Sequence, residues 1–85
     1  MDLQLQGKRV VVTDGGSGIG GAISRTLAEE GAVPVILARR APEAAFLAET
    51  GAQFIQVDLA DEAQVAQAAA AARQGGPIYG LVNNA

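Results

Sequence analysis

The sequence predicts an α/β fold in which parallel strands alternate with helices. Three observations predict it: a run of three valines at residues 10–12, a glycine-rich segment directly after that run, and apolar residues at helical spacing after the glycines. The same succession of apolar run and helical pattern continues along the chain. Alternation of this kind is typical of βαβ units, which build parallel sheets.

The first unit is a strand at residues 10–12 followed by a helix over about residues 18–30. Consecutive β-branched residues suit a central strand that is covered on both faces. Gly31 lies just past the helix, where a left-handed backbone conformation is least costly for glycine. The apolar stripe of this helix is predicted at Ile19, Ala22, Ile23, Thr26 and Leu27.

The second strand is predicted at residues 33–37. Its pairing is expected to begin around Val35, because Pro34 cannot donate a hydrogen bond to a neighbouring strand. The elements that follow are a short helix from Pro42 to just before Gly51, a strand at residues 53–57, an alanine-rich helix at residues 61–73 and a strand at residues 78–82. Right-handed crossovers give the strand order 3-2-1-4, with the first two helices on one face and the third on the other. We therefore expect a partial Rossmann fold, a doubly wound parallel sheet.

The composition excludes several kinds of chemistry. With 85 residues, the chain corresponds to one domain or a part of one. It contains no cysteine and no histidine, which excludes thiolate nucleophiles, disulfides and imidazole catalysis or metal ligation. A formal charge of −3 with scattered basic residues gives no basic face for nucleic acid. No apolar run is long enough to cross a bilayer, so we expect a cytoplasmic protein that binds neither nucleic acid nor membrane.

The segment TDGGSGIG at residues 13–20 joins the first strand to the first helix. Free amide groups and the helix dipole at such a helix start favour an anion, for example a diphosphate. The G-x-G-x-x-G pattern at Gly16, Gly18 and Gly21 is weak on its own, and the plain alternative is a turn that needs flexible glycines. The preceding strand and the following helix are, however, the elements that nucleotide binding requires.

Three motifs spread over the whole chain resemble those of the short-chain dehydrogenase/reductase family. The family's T-G-x-x-x-G-x-G motif falls on residues 13–20, the pair at residues 58–59 matches its adenine-contacting Asp and the next residue, and LVNNA at residues 81–85 matches the start of its N-N-A-G motif. The resemblance implies that residues 1–85 are the N-terminal dinucleotide-binding part of a single Rossmann domain, ending within N-N-A-G. The cofactor-binding residues predicted in these motifs are Thr13, Asp14, Ser17, Gly18, Ile19, Gly20, Asp58, Leu59, Asn83 and Ala85.

Two of these residues also have simpler interpretations, and a third departs from the family motif. Asp58 is a residue type that often caps a helix or forms a turn, and Asn83-Asn84 would end a strand without any ligand. Asp14 replaces the first glycine of the family motif and adds a negative charge where the ribose and phosphates of the cofactor would lie. A carboxylate there can accept a ribose hydroxyl while it repels phosphate, so removal of the charge is expected to strengthen binding.

The end of the second strand indicates the type of dinucleotide. NAD-preferring sites have an acidic residue there for the 2′-hydroxyl of the adenine ribose, but this chain has Ala38. Arg39 and Arg40 follow, and guanidinium groups offer a planar fork of donors to a 2′-phosphate. The prediction is therefore NADP, with NAD as the alternative; the plain interpretation is a pair of solvated surface charges.

The family resemblance implies a catalytic Ser, Tyr and Lys beyond the fourth strand, and the chain contains none of them there. Lys8 and Tyr79 are its only Lys and Tyr, and the residue four positions after Tyr79 is Asn83. We therefore predict that the chain alone is not catalytic and contains no catalytic residue. The complete family member is expected to oxidise an alcohol to a ketone, or a sugar to a lactone, and to form a homodimer or homotetramer. Residues 31–43 resemble branches that act on sugars, including L-fucose.

Two alternatives remain open. The chain could be a truncated, non-catalytic nucleotide-binding or interaction module, which Asp14 favours. It could also be a doubly wound fold that binds no dinucleotide.

Overall fold

The computed structural model describes residues 4–84 and contains a four-stranded parallel sheet with three helices. Each strand except the last is followed by a helix. The elements are β1 (Arg9–Thr13), α1 (Gly18–Glu29), β2 (Val33–Ala38), α2 (Ala44–Thr50), β3 (Gln53–Gln56), α3 (Glu62–Gln74) and β4 (Ile78–Val82). The strand order is β3-β2-β1-β4, so the predicted 3-2-1-4 topology is confirmed.

The two faces of the sheet are covered by different helices, as the crossover rule predicts. The face of Val10 and Val12 packs against α1, and the cluster of Ile36 and Ala38 on the same face packs against Phe46 of α2. On the opposite face, the alternate residues of β1 and β2 pack against small residues of α3. That cluster comprises Val11, Val35, Leu37, Val57, Ala68 and Ala72. The alanines of α3 let the helix lie close to the sheet, although they bury little apolar surface.

The second strand begins at Val33, within its predicted range, but its pairing with β1 starts there and not around Val35 as predicted, and Pro34 lies inside the strand. Val33 donates its amide to the carbonyl of Lys8 at 2.7 Å, on the β1 side of the strand. Successive residues of a strand point their hydrogen-bonding groups to opposite sides. Pro34 therefore faces β3, whose pairing with β2 begins only at Val35. The missing donor is tolerated because it points to the unpaired side.

The start of the second helix also differs from the prediction. Pro42 lies outside the helix, and Glu43 is the N-cap residue with extended dihedral angles, φ −61° and ψ 146°. The helix ends as predicted at Gly51, which adopts the left-handed conformation at φ 65°. In α1 the C-cap residue is Glu30, and Gly31, which follows it, is left-handed at φ 86°.

The buried stripe of α1 is not the predicted one. Ile19, Ala22 and Thr26 are exposed, whereas the buried residues of the helix are Gly20, Gly21 and Ser24. Small residues on this stripe let the helix approach the loop after β1 closely, so contact is made by backbone and a hydroxyl group rather than by large apolar side chains. Ile23 and Leu27 do pack against the β1 cluster, as predicted.

The amino-terminal end of the sheet is held together by Arg9. This side chain is buried, and its Nη1 donates to the carbonyls of Ala72 at 2.6 Å and Gly76 at 2.7 Å. Its Nη2 donates to Oε1 of Gln53 at 2.7 Å. One guanidinium group thus connects β1 with the end of α3, the loop before β4 and the start of β3.

The strand β4 forms one edge of the sheet within residues 4–84. It pairs only with β1, with an irregularity in register between Arg9 and Val10. Tyr79 and Leu81 on this strand are 60% and 66% exposed.

None of the helices within residues 4–84 is long and apolar enough to span a bilayer.

Candidate functional site

The loop between β1 and α1 lies at the carboxyl end of the sheet and is tightly packed. Asp14 has a left-handed backbone at φ 52° and donates its amide to the carbonyl of Leu37 at 2.8 Å. A Cβ on Gly20 would overlap the carbonyl oxygen of Asp14 and lie 2.7 Å from Nδ2 of Asn84. Only glycine fits at residue 20, because the first turn of the helix lies directly against the loop.

Ser24 holds this loop in place, although it is not one of the predicted site residues. The side chain is fully buried, and its Oγ lies 2.8 Å from the carbonyl oxygen of Gly15 and 3.0 Å from that of Gly20. The hydroxyl group thus connects the loop to the second turn of α1. A serine placed four residues after a motif glycine was the available signal, but its burial depends on the close approach that Gly20 permits.

The first turn of α1 has amides without an acceptor in the helix. Ser17 is the N-cap residue, and its side chain makes no capping hydrogen bond. The first intrahelical bond runs from the amide of Gly21 to the carbonyl of Ser17 at 2.9 Å. The amides of residues 18–20 have no acceptor within the helix, as at every helix start, and together with the helix dipole they favour an anion.

A cleft of about 880 Å³ opens beside this loop, between α1, the end of β2 and the start of α2. Five of the predicted site residues line it: Asp14, Ser17, Gly18, Arg39 and Arg40. The two loops that form its walls touch, since a Cβ on Gly16 would lie 2.8 Å from Cγ of Pro42. The cleft is also lined by Arg25 and Phe46, which are not among the predicted site residues.

Arg39 and Arg40 are the free positive charges of this cleft. Both are exposed, and neither side chain forms an ion pair with another residue in the described part of the chain. Ala38, where NAD-preferring sites have an acid, is buried at the end of β2. The electrostatic arrangement at this end of the sheet therefore suits a ligand with a phosphate group.

Asp58 lies at a second, smaller cleft that it shares with Arg39 and Gln64. Its Oδ1 accepts a hydrogen bond from the amide of Ala60 at 3.0 Å, which is the turn-forming contact of the simpler interpretation. Its own amide donates to Oε1 of Gln64 at 2.8 Å. The carboxylate thus shapes the turn after β3. Asp58 also lines the smaller cleft together with Arg39.

The ends of β1 and β4 are joined by a polar network. The buried Thr13 hydroxyl donates to Oδ1 of Asn83 at 3.1 Å and accepts from the amide of Asn84 at 2.7 Å. These residues fix the sheet edge beneath the glycine loop, because the Asn84 side chain lies against Gly20.

Among the predicted site residues, Leu59 and Ile19 line neither cleft. Leu59 packs against the apolar cluster under α3. Ile19 is 75% exposed at the start of α1 and does not line the cleft. Ala85 lies outside the described residues. Within residues 4–84, no group of three or more acidic residues could hold a metal ion.

The site and the fold agree with a family assignment. The sequence profile described as short chain dehydrogenase matches residues 8–85. The chain belongs to this family of oxidoreductases.

Individual relatives match along nearly the whole chain. L-xylulose reductase of Bos taurus is 39% identical over 87 residues, which cover 100% of the chain and 34% of that protein. L-sorbose reductase from Gluconobacter frateurii, solved in complex with NADPH and L-sorbose, has a TM-score of 0.86 at 33% identity, over 100% of the chain and 35% of that protein. An NADH-dependent reductase complexed with NAD has a TM-score of 0.86 at 27% identity, over 94% of the chain and 36% of that protein. The chain thus spans about a third of the length of these relatives.

Proposed function

We propose that residues 1–85 form the cofactor-binding N-terminal part of a single Rossmann domain in an NADP-dependent oxidoreductase. The observation that carries the proposal is the cleft at the carboxyl end of the sheet. It combines the open first turn of α1 with the exposed guanidinium groups of Arg39 and Arg40. Amides of the helix start would hold the diphosphate, and the two arginines would hold the 2′-phosphate of the adenine ribose.

The preference for NADP over NAD rests on charge. The two ligand-bound relatives contain NADPH in one case and NAD in the other, so the likeness supports either dinucleotide. A buried Ala38 gives no acceptor for a ribose 2′-hydroxyl, whereas the adjacent guanidinium groups would bind a 2′-phosphate. Asp58, in the adjoining cleft, would contact the adenine.

The proposed reaction is hydride transfer between a secondary alcohol or sugar and the nicotinamide ring, for which the bound cofactor supplies or accepts the hydride. The names of L-xylulose reductase and L-sorbose reductase support a sugar-type substrate. Lys8 and Tyr79 do lie together, with Nζ 5.3 Å from the ring centre, but they lie at the starts of β1 and β4. That is the end of the sheet away from the cleft. We therefore propose that the acid–base residues, and the contacts of a homodimer or homotetramer, belong to other parts of the whole protein.

The test is a pair of binding titrations on the whole protein and its Arg39→Ala variant, one with NADPH and one with NADH. We expect NADPH to bind at least about tenfold more weakly to the variant, because a charge-assisted hydrogen bond to phosphate is lost. NADH affinity should change by less than about twofold, because NADH lacks the 2′-phosphate.

The matched control is Arg73→Ala, which removes an exposed arginine from the last turn of α3 on the opposite face of the sheet. It should leave both affinities unchanged. A change of twofold or less in NADPH affinity for Arg39→Ala would refute the phosphate role of this residue.

The second candidate is a non-catalytic nucleotide-binding or interaction module, which the carboxylate of Asp14 in the cleft favours. The coding sequence after residue 85 separates the two candidates. A Ser followed by Tyr-x-x-x-Lys in frame supports the enzyme, whereas a stop codon supports the module. A fluorescence titration with NADPH tests the third case, in which no dinucleotide binds at all.

A further inference from the structure

Arg25 lies in the proposed cofactor cleft although no motif selects it. Gly18, Gly21, Ala22 and Arg25 all line the cleft, and their spacing places them on one stripe of α1. Arg25 is thus two turns from the start of the helix, on the same wall as the open amides. It is the third guanidinium group of a cleft whose carboxylates are those of Asp14 and Glu43.

Contacts with α2 hold the Arg25 side chain in a defined position. Its guanidinium lies over the ring of Phe46, with Cζ 5.0 Å from the ring centre. Its Nη1 forms an ion pair with Oε2 of Glu49, one turn further along α2. The arginine side chain remains 51% exposed, so donors that Glu49 does not occupy remain accessible to solvent. A guanidinium that is already stacked and ion-paired loses less conformational entropy on binding a further anion than a mobile one does.

Glu49 also weakens the positive charge that Arg25 brings to the cleft. The carboxylate is 59% exposed and pairs directly with the guanidinium, so the pair contributes a dipole rather than a full charge. Arg39 and Arg40, in contrast, have no ion-pair partner within residues 4–84. The cleft therefore contains two full positive charges and one that is attenuated.

We propose that Arg25 is a third specificity-determining residue for the ribose 2′-phosphate and that Glu49 sets the strength of its contribution. This inference rests on the proposed function, since it concerns the same cofactor cleft. Arg25 acts at longer range than Arg39, and the ion pair with Glu49 limits its effect. It selects NADPH over NADH because only NADPH has the additional phosphate charge.

The test compares Arg25→Gln, Glu49→Gln and the double variant in the whole protein, by titration with NADPH and with NADH. Arg25→Gln should weaken NADPH binding about fivefold, since it removes one positive charge and leaves the Glu49 carboxylate unpaired beside the phosphate. Glu49→Gln should strengthen NADPH binding about threefold, because Phe46 still supports a guanidinium that is no longer neutralised. The double variant should bind NADPH at least about fivefold more weakly than Glu49→Gln, because the guanidinium that is removed then acts with its full charge. NADH affinity should stay within about twofold throughout, because NADH has no 2′-phosphate.

A purely structural role predicts a different pattern. If the ion pair only holds α2 against α1, Arg25→Gln and Glu49→Gln should both lower the thermal stability and should change NADPH and NADH binding equally. That result, or equal NADPH affinity of the double variant and Glu49→Gln, would overturn the inference. Arg73→Gln is the control for the change in net charge, and it should leave both affinities unchanged.

Arg39→Ala separates the two possible failures. When Arg39→Ala weakens NADPH but the three Arg25 and Glu49 variants do not discriminate between the cofactors, only this inference fails. When Arg39→Ala is also without effect on NADPH, the proposed phosphate role of the cleft fails and this inference fails with it.

Discussion

The two ends of the sheet both contain arginine, and they use it in opposite ways. At the amino end, the Arg9 side chain is buried and donates three hydrogen bonds to protein oxygens, two of them backbone carbonyls. At the carboxyl end, Arg39 and Arg40 are exposed and form no ion pair within residues 4–84. The same functional group thus stabilises the fold at one end and remains available to a ligand at the other.

The difference shows how burial and partners separate a structural charge from a binding charge. A buried guanidinium is tolerated only when protein oxygens replace its water, and the carbonyls at the end of α3 carry the negative end of the helix dipole. Even so, Nε of Arg9 is buried without a hydrogen-bond partner in the described chain. The arginines at the other end retain their hydration, so a phosphate can replace water at low cost.

Arg9→Met gives the largest expected effect and tests the structural end of the comparison. The substitution keeps an apolar stem but removes all three hydrogen bonds, and it leaves the carbonyls of Ala72 and Gly76 without this partner. We expect the free energy of unfolding of the whole protein to fall by about 3 kcal/mol, measured by urea denaturation. The ratio of NADPH to NADH affinity in the folded protein should be unchanged.

The control for this prediction is Arg73→Met. Arg73 is exposed in the last turn of α3, close to Arg9 in the fold but without its buried contacts. Its loss should cost less than about 0.5 kcal/mol. Equal destabilisation by the two variants would show that Arg9 acts only through general charge and not through its hydrogen bonds.

Much of this comparison could be predicted from the sequence, because strand order and faces follow from the alternation of elements and the crossover rule. The end of β2 could be located, and with it Arg39 and Arg40. The role of Arg9 could not, since its partners lie 44, 63 and 67 residues away along the chain.

The remaining differences have local physical reasons that depend on tertiary contacts. Pro34 could be placed correctly only once the unpaired side of β2 was known. The buried stripe of α1 depends on how closely Gly20 lets the helix approach, so an apolar periodicity pointed to the wrong residues. The ion pair between Arg25 and Glu49 joins α1 to α2. The two residues are 24 positions apart in the sequence, so no local pattern indicates the pair.

Gly20→Ala tests whether cofactor binding at the carboxyl end of the sheet depends on the tight packing of the glycine loop. The added Cβ would overlap the Asp14 carbonyl, so the loop would have to move away from the start of α1. Overpacking of this kind costs about 1–3 kcal/mol, which predicts a loss of about 5- to 150-fold in affinity for NADPH and NADH alike.

The adjacent glycine provides a matched control. A Cβ on Gly21 would meet its nearest neighbours, Gly16 and Phe46, at ordinary contact distances of 3.5 Å or more. Gly21→Ala should therefore change either affinity by less than about threefold. Similar losses in both variants would show that helix propensity or general packing, rather than the approach to Asp14, controls binding.

Asp14→Gly is expected to give the smallest effect, and a gain rather than a loss. Asp14 brings a negative charge to the end of the sheet that otherwise suits an anion, and its φ of 52° lies in the left-handed region that glycine adopts without strain. Dinucleotide binding should strengthen about fivefold, and the gain should shrink as salt screens the charge. Asp14→Asn separates the two causes: it removes the charge but keeps a side chain, so it should reproduce most of the gain if repulsion dominates. Equal or weaker binding of the glycine variant would mean that the carboxylate contributes to binding by accepting a ribose hydroxyl, and the carboxyl end of the sheet would then recognise sugar as well as phosphate.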